Sequence, residues 1–90
     1  MLVLVLLANS ARAHEFTELK IDSFYRPGNG PYLEILLSNT VKGRQFVCIL
    51  TNEEGKVVAY DRGWTRSLAT RVLINFPYDV EVKARCVFDD

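Results

Sequence analysis

The chain has 90 residues, with eleven basic side chains balanced by eleven acidic ones. That length holds one small domain, and the even, interleaved charge argues against a nucleic-acid-binding protein. No run of the sequence is a polybasic cluster suited to an anionic membrane.

The chain opens on an unbroken apolar run, Met1-Leu2-Val3-Leu4-Val5-Leu6-Leu7-Ala8. Asn9-Ser10 and then Ala11-Arg12-Ala13 follow, with small residues three before and one before a cut after Ala13. An apolar stretch ending in such a site reads as a secretory signal peptide. Eight residues span only about 12 Å as a helix, too short for a membrane core of ~30 Å. No Lys or Arg precedes the run, which leaves open a start upstream of Met1. The expectation is a leader over residues 1–13, a domain over 14–90, and a secreted or periplasmic location without a membrane span. In an exported chain, Cys48 and Cys86 have one intramolecular pairing open to them. It closes a loop of about 38 residues, for which chain entropy gives on the order of 4 kcal/mol.

Period-two alternation runs through the rest of the chain, and helical periodicity does not. Leu19 and Ile21 alternate with Glu18, Lys20 and Asp22, which predicts a first strand over residues 16–25. Arg26-Pro27-Gly28-Asn29-Gly30-Pro31 is dense in turn formers and cannot continue it. A second strand over 32–39 puts Leu33, Ile35 and Leu37 inside. In a third, over 44–51, Phe46, Cys48 and Leu50 share a face, while Val47 and Ile49 make the other face apolar too. That pattern predicts a central strand covered on both sides. Thr51-Asn52-Glu53-Glu54-Gly55 reads as a hairpin loop with Gly55 left-handed, returning as a fourth strand over 56–61. Residues 62–68 are expected to form the longest irregular stretch. A fifth strand over 69–76 has Val72, Ile74 and Phe76 inward. Pro77-Tyr78 then turns into a last strand over 79–88, with Val80, Val82, Ala84, Cys86 and Phe88 inward. The fold class is all-β, a small antiparallel sandwich of about six or seven strands. Both cysteines fall on inward faces, which supports their bridge independently of compartment.

The stretch Leu33-Glu34-Ile35-Leu36-Leu37-Ser38-Asn39-Thr40, followed by Phe46-Val47-Cys48-Ile49-Leu50-Thr51-Asn52-Glu53-Glu54-Gly55-Lys56-Val57-Val58, resembles small exported immunoglobulin-like domains. In architecture it is similar to bacterial extracellular domains named for a Phe-x-Leu-Tyr-Asp motif, although that motif is absent here. The order Cys48, Trp64, Cys86 resembles that of immunoglobulin domains. Against it, Asp61-Arg62-Gly63-Trp64-Thr65 reads as a turn, and Ala84 stands where the family's corner tyrosine would. The resemblance implies a fold and no activity.

For chemistry, a cut after Ala13 would leave His14 as the N-terminus, able to chelate a metal through its amine and imidazole. Copper-handling exported sandwiches resemble the chain in that respect, but they need a second imidazole and His14 is the only histidine. A weak copper-binding periplasmic protein is therefore the alternative reading. Serine or cysteine catalysis needs a histidine held in the fold. Glu53-Glu54 and Glu34 read as solvated carboxylates, and the Gly28 and Gly30 spacing lacks the helix of a phosphate loop. The leading expectation is a non-enzymatic binding domain without a cofactor, acting on a protein or cell-envelope component through an edge strand or a loop. Tyr60, Arg62, Trp64, Arg66 and Arg71 gather the residue types of binding hot spots, as do Tyr25 and Arg26. Trp64 is open to two readings, a contact residue or a lid folded onto the sandwich edge.

Overall fold

The computed structural model describes residues 17–89. The expected leader and His14 lie outside them. Six strands form, in chain order β1 (Ile21–Tyr25), β2 (Tyr32–Thr40), β3 (Gln45–Thr51), β4 (Val57–Trp64), β5 (Leu68–Asn75) and β6 (Lys83–Phe88). They make two three-stranded antiparallel sheets, ordered β1-β2-β5 and β4-β3-β6. Each sheet presents one apolar face, and burying those faces against each other removes both from water. Leu33, Ile35 and Leu37 of β2 with Val72 and Ile74 of β5 meet Phe46, Cys48 and Leu50 of β3 and Cys86 of β6, and Phe76 closes the layer. All ten are residues that alternation alone turns inward.

Cys48 and Cys86 stand directly opposite each other on β3 and β6 and are joined, with Cα atoms 4.0 Å apart. The bridge therefore lies within one sheet. In immunoglobulin domains it spans the two sheets and a tryptophan packs on it, so the Cys-Trp-Cys order of this chain does not reproduce that arrangement.

Four expectations need correction. The first strand is divided: Leu19 N–H donates to the Cys86 carbonyl and Phe88 N–H to that of Thr17, with Glu18 opposite Val87, before the chain crosses to pair with β2. Alternation is the same on either partner, so it does not report the switch. The expected irregular stretch over 62–68 shrinks to residues 65–67, because β4 runs on to Trp64. Gly63, read as a turn former, lies opposite Phe46 on the inward face, where an added Cβ would stand 3.0 Å from the phenyl Cζ. It is a strand glycine that makes room for an aromatic ring. The last strand starts at Lys83, and Val80 is 60% exposed; the residues before it carry the chain from one sheet to the other. Finally, β3 is central as expected, but its outer face is only half-buried, and no described layer covers Val47 and Ile49.

The β3–β4 hairpin forms as read: Gly55 has φ 83°, and the Asn52 side-chain oxygen accepts from the Glu54 and Lys56 N–H groups. Denatured, unreduced protein should show no free thiol on titration. Replacing both cysteines by Ala should lower stability by about 2–5 kcal/mol in a denaturant melt.

Candidate functional site

Inward Phe46, Cys48 and Leu50 force their neighbours Gln45, Val47 and Ile49 onto the outer face of the sheet. Trp64, Arg62 and Tyr60 are their cross-strand partners on β4, so these three also face outward. On the other side Val87 pairs with Val47 and Arg85 with Ile49. The result is an apolar centre of Val47, Ile49 and Val87, bordered along β4 by two aromatic rings with a guanidinium between them. The Arg62 guanidinium sits 5.9 Å from the Tyr60 ring centre, and its Nε is 3.6 Å from Asp89. Arg85 is paired with Glu18. With Arg62 67% exposed, its ion pair contributes little to stability and mainly orients the side chain.

Trp64 is 62% exposed. It is not a lid on the core. It stands at the end of the sandwich where the 41–44 and 65–67 connections meet, and those connections are tied together by three buried threonines, Thr65 and, at the adjoining strand ends, Thr40 and Thr70. Thr65 Oγ1 donates to the Val41 carbonyl and accepts from the Arg44 N–H; Thr65 N–H donates to the Arg44 carbonyl, and Gly43 N–H to the Thr65 carbonyl. Thr40 Oγ1 donates to the Arg66 carbonyl at 2.5 Å and lies 2.9 Å from Thr70 Oγ1, which also accepts from the Arg66 N–H. Among the described residues no buried side-chain nitrogen or oxygen lacks a partner. A shallow cleft of about 430 Å³ opens on this end, lined by Lys42, Gly43, Trp64, Thr65, Arg66 and Ser67.

Of the residues singled out from sequence, Tyr60, Arg62 and Trp64 thus share one face, and Arg66 lies around the corner in the cleft. The others are elsewhere. The Tyr25 hydroxyl is 3.3 Å from Glu34 Oε1 on the outer face of the opposite sheet, and Arg71 Nε lies 2.9 Å from Glu34 Oε2. Glu34, expected to be solvated, is 9% exposed between these two partners. Arg26 is a staple: Nη1 donates to the Gly30 and Phe76 carbonyls and Nη2 to that of Tyr78, fixing the β1–β2 turn to the segment after β5.

Two residues that sequence reasoning passed over lie at the same end of the sandwich as Trp64, next in the chain to residues that line its cleft. Val41 is 72% exposed and Leu68 80%, the latter with a left-handed backbone at φ 75°. The available signal was an apolar side chain inside an otherwise polar connection.

Glu53, Glu54 and Glu81 border another hollow at the far end of the sandwich, with Asn52 and Val80. Among the described residues no three His, Cys, Asp or Glu side chains converge as a metal ion requires.

What the fold and site define is an all-β, two-sheet domain with a disulfide inside one sheet and an exposed aromatic and cationic surface at one end. No protein-family model matches the chain, and neither the characterised proteins nor the solved structures include a significant match.

Trp64→Ala should leave the denaturant midpoint within about 0.5 kcal/mol of the parent, as exposed surface substitutions do. Arg26→Ala should lower stability by about 1.5–3 kcal/mol in the same melt, because it removes hydrogen bonds from a charged donor.

Proposed function

We propose that this protein is a small exported interaction domain, non-enzymatic, that recognises a cell-envelope or protein partner through the surface around Trp64. The observation that carries the reading is the outward row Tyr60, Arg62 and Trp64 on one strand, with Trp64 largely exposed. Large aromatic rings in water serve folding poorly, while Trp, Tyr and Arg dominate binding hot spots.

Recognition by side chains is favoured over strand addition at the edge of β4. Asp61 is opposite Cys48 in register, on the inward side of this edge strand, yet it is exposed. An inward charge and a register shift near Val57 are devices that discourage a further strand.

Export is supported by the apolar start with Ala11-Arg12-Ala13 and by a disulfide, which oxidising compartments maintain. The immunoglobulin-like reading is supported by strand order. The first, second and fifth strands share one sheet and the third and sixth the other, as A, B, E and C, F do in that fold, with β4 in the place of C′. Both thiols are engaged in the bridge, which leaves no free cysteine as a nucleophile.

The test is affinity capture from a cell-envelope extract with the parent protein and with Trp64→Ala. Partner affinity should fall by at least about 2 kcal/mol in the variant. Equal capture by both proteins overturns the assignment of the surface. N-terminal sequencing of protein from its native host should begin at His14; chain that retains residues 1–13 overturns export by cleavage at this site.

A further inference from the structure

We infer that the end of the sandwich formed by Val41, Lys42, Trp64, Arg66 and Leu68 docks on an anionic lipid surface. This rests on the reading of the Trp64 surface as a contact site and names its partner. Three large apolar side chains lie at this end of the sandwich, Val41 after β2, Trp64 at the end of β4 and Leu68 at the start of β5, and each is more than half exposed. Lys42 and Arg66 line the cleft beside Trp64. Neither forms an ion pair among the described residues. In sequence the two cations are far apart; the fold brings them to one cleft.

Leu68 is the least expected member. A leucine at φ 75° sits in backbone that glycine or asparagine adopts with less strain, and its side chain gains no burial in return. Folding therefore gives no reason for leucine there, and such an outlier points to a function at the tip. The threonine network holds the tip in place before any partner arrives, so little ordering accompanies binding.

The chemistry fits a bilayer interface. Exposed aliphatic side chains enter the acyl boundary, tryptophan prefers headgroup depth, and Lys and Arg meet lipid phosphates. A protein partner would need a concavity shaped to two projecting aliphatic side chains, whereas a lipid interface closes around any shape.

Trp64 is the chain's one tryptophan, so it reports the docking directly. The full chain is mixed with vesicles of phosphatidylcholine containing about a quarter phosphatidylglycerol, and with pure phosphatidylcholine. On the anionic vesicles its emission should shift to the blue and be quenched by brominated acyl chains, with clearly weaker binding to the neutral ones. Binding through the apolar start of the chain would sediment protein without that response. Leu68→Gly should weaken vesicle binding at least about fivefold while melting no lower than the parent, because the strain is relieved. The double variant Lys42→Glu/Arg66→Glu should weaken it at least about tenfold.

A silent Trp64, equal binding to both vesicle types, or full binding by both variants each overturns the proposal. If vesicles fail but envelope capture still retrieves a Trp64-dependent protein, the lipid partner is wrong and the interaction surface stands. If both fail, both readings fall.

Discussion

The bond between Cys48 and Cys86 is the constraint on which the rest of the fold leans. Among the described residues each sheet has three strands, and a sheet that small holds together only with an apolar face packed on another element. The last strand, β6, is an edge strand that pairs along its length only with β3 and meets residues 17–19 on its other side. On its inward face Cys86 is buried, while Ala84 and Phe88 are only half-buried, and alanine offers little area to bury. A covalent link at the middle of the β3–β6 register compensates for that poverty. It also fixes Cys86 and Phe88 where Leu19 and Thr17 can hydrogen-bond to them. The entering chain is thus placed by the strand that ends the domain, and both lie at the end of the sandwich that carries Trp64.

Fixing β6 leaves the sandwich with exposed edges, and three of the four, those of β6, β1 and β4, are blunted differently. The free side of β6 is covered near Cys86 by residues 17–19, and Lys83 and Arg85 stand on the remainder. β1 has five residues and a register shift. β4 is the longest edge of its sheet and carries both Asp61 on its inner side and a shift near Val57. Long, flat, uncharged edges recruit further strands, and none of these qualifies. Tyr60 and Trp64 can therefore remain exposed on β4 without the strand becoming a template for aggregation.

How much of this was legible in the sequence depends on which residues were periodic. Leu33, Ile35, Leu37, Phe46, Cys48, Leu50, Val72 and Ile74 alternate without interruption, and each is buried as the pattern requires. The same rule failed at Val80, because alternation continues through a crossover that belongs to neither sheet. It also failed at Gly63, whose place is set by the Phe46 ring on the neighbouring strand, a contact invisible along the chain. The candidate site was half legible. Residue type marked Tyr60, Arg62 and Trp64, and their strand set them on one face. Arg26 and Arg71 belong to the same residue class but are engaged by carbonyls 50 and 52 residues away and by Glu34 across a strand pair. Val41 and Leu68 were missed because single aliphatics in a connection carry no periodic signal.

The separation between what is held and what is shown explains the character of the Trp64 end. Its three threonines are turned inward: Thr40, Thr65 and Thr70 are buried, and their hydroxyls bind the backbone or each other. Its apolar side chains are all turned outward. A connection under selection for folding alone would have the opposite distribution, because buried hydroxyls without partners are costly and exposed aliphatics gain nothing. The inversion is tolerable only because each threonine hydroxyl finds a partner on the connections or on another threonine, so the apolar core supplies none. Backbone rigidity and surface apolarity are thereby uncoupled. Substitution of Val41, Trp64 or Leu68 acts on what the surface meets, whereas substitution of Thr65 acts on whether the surface exists.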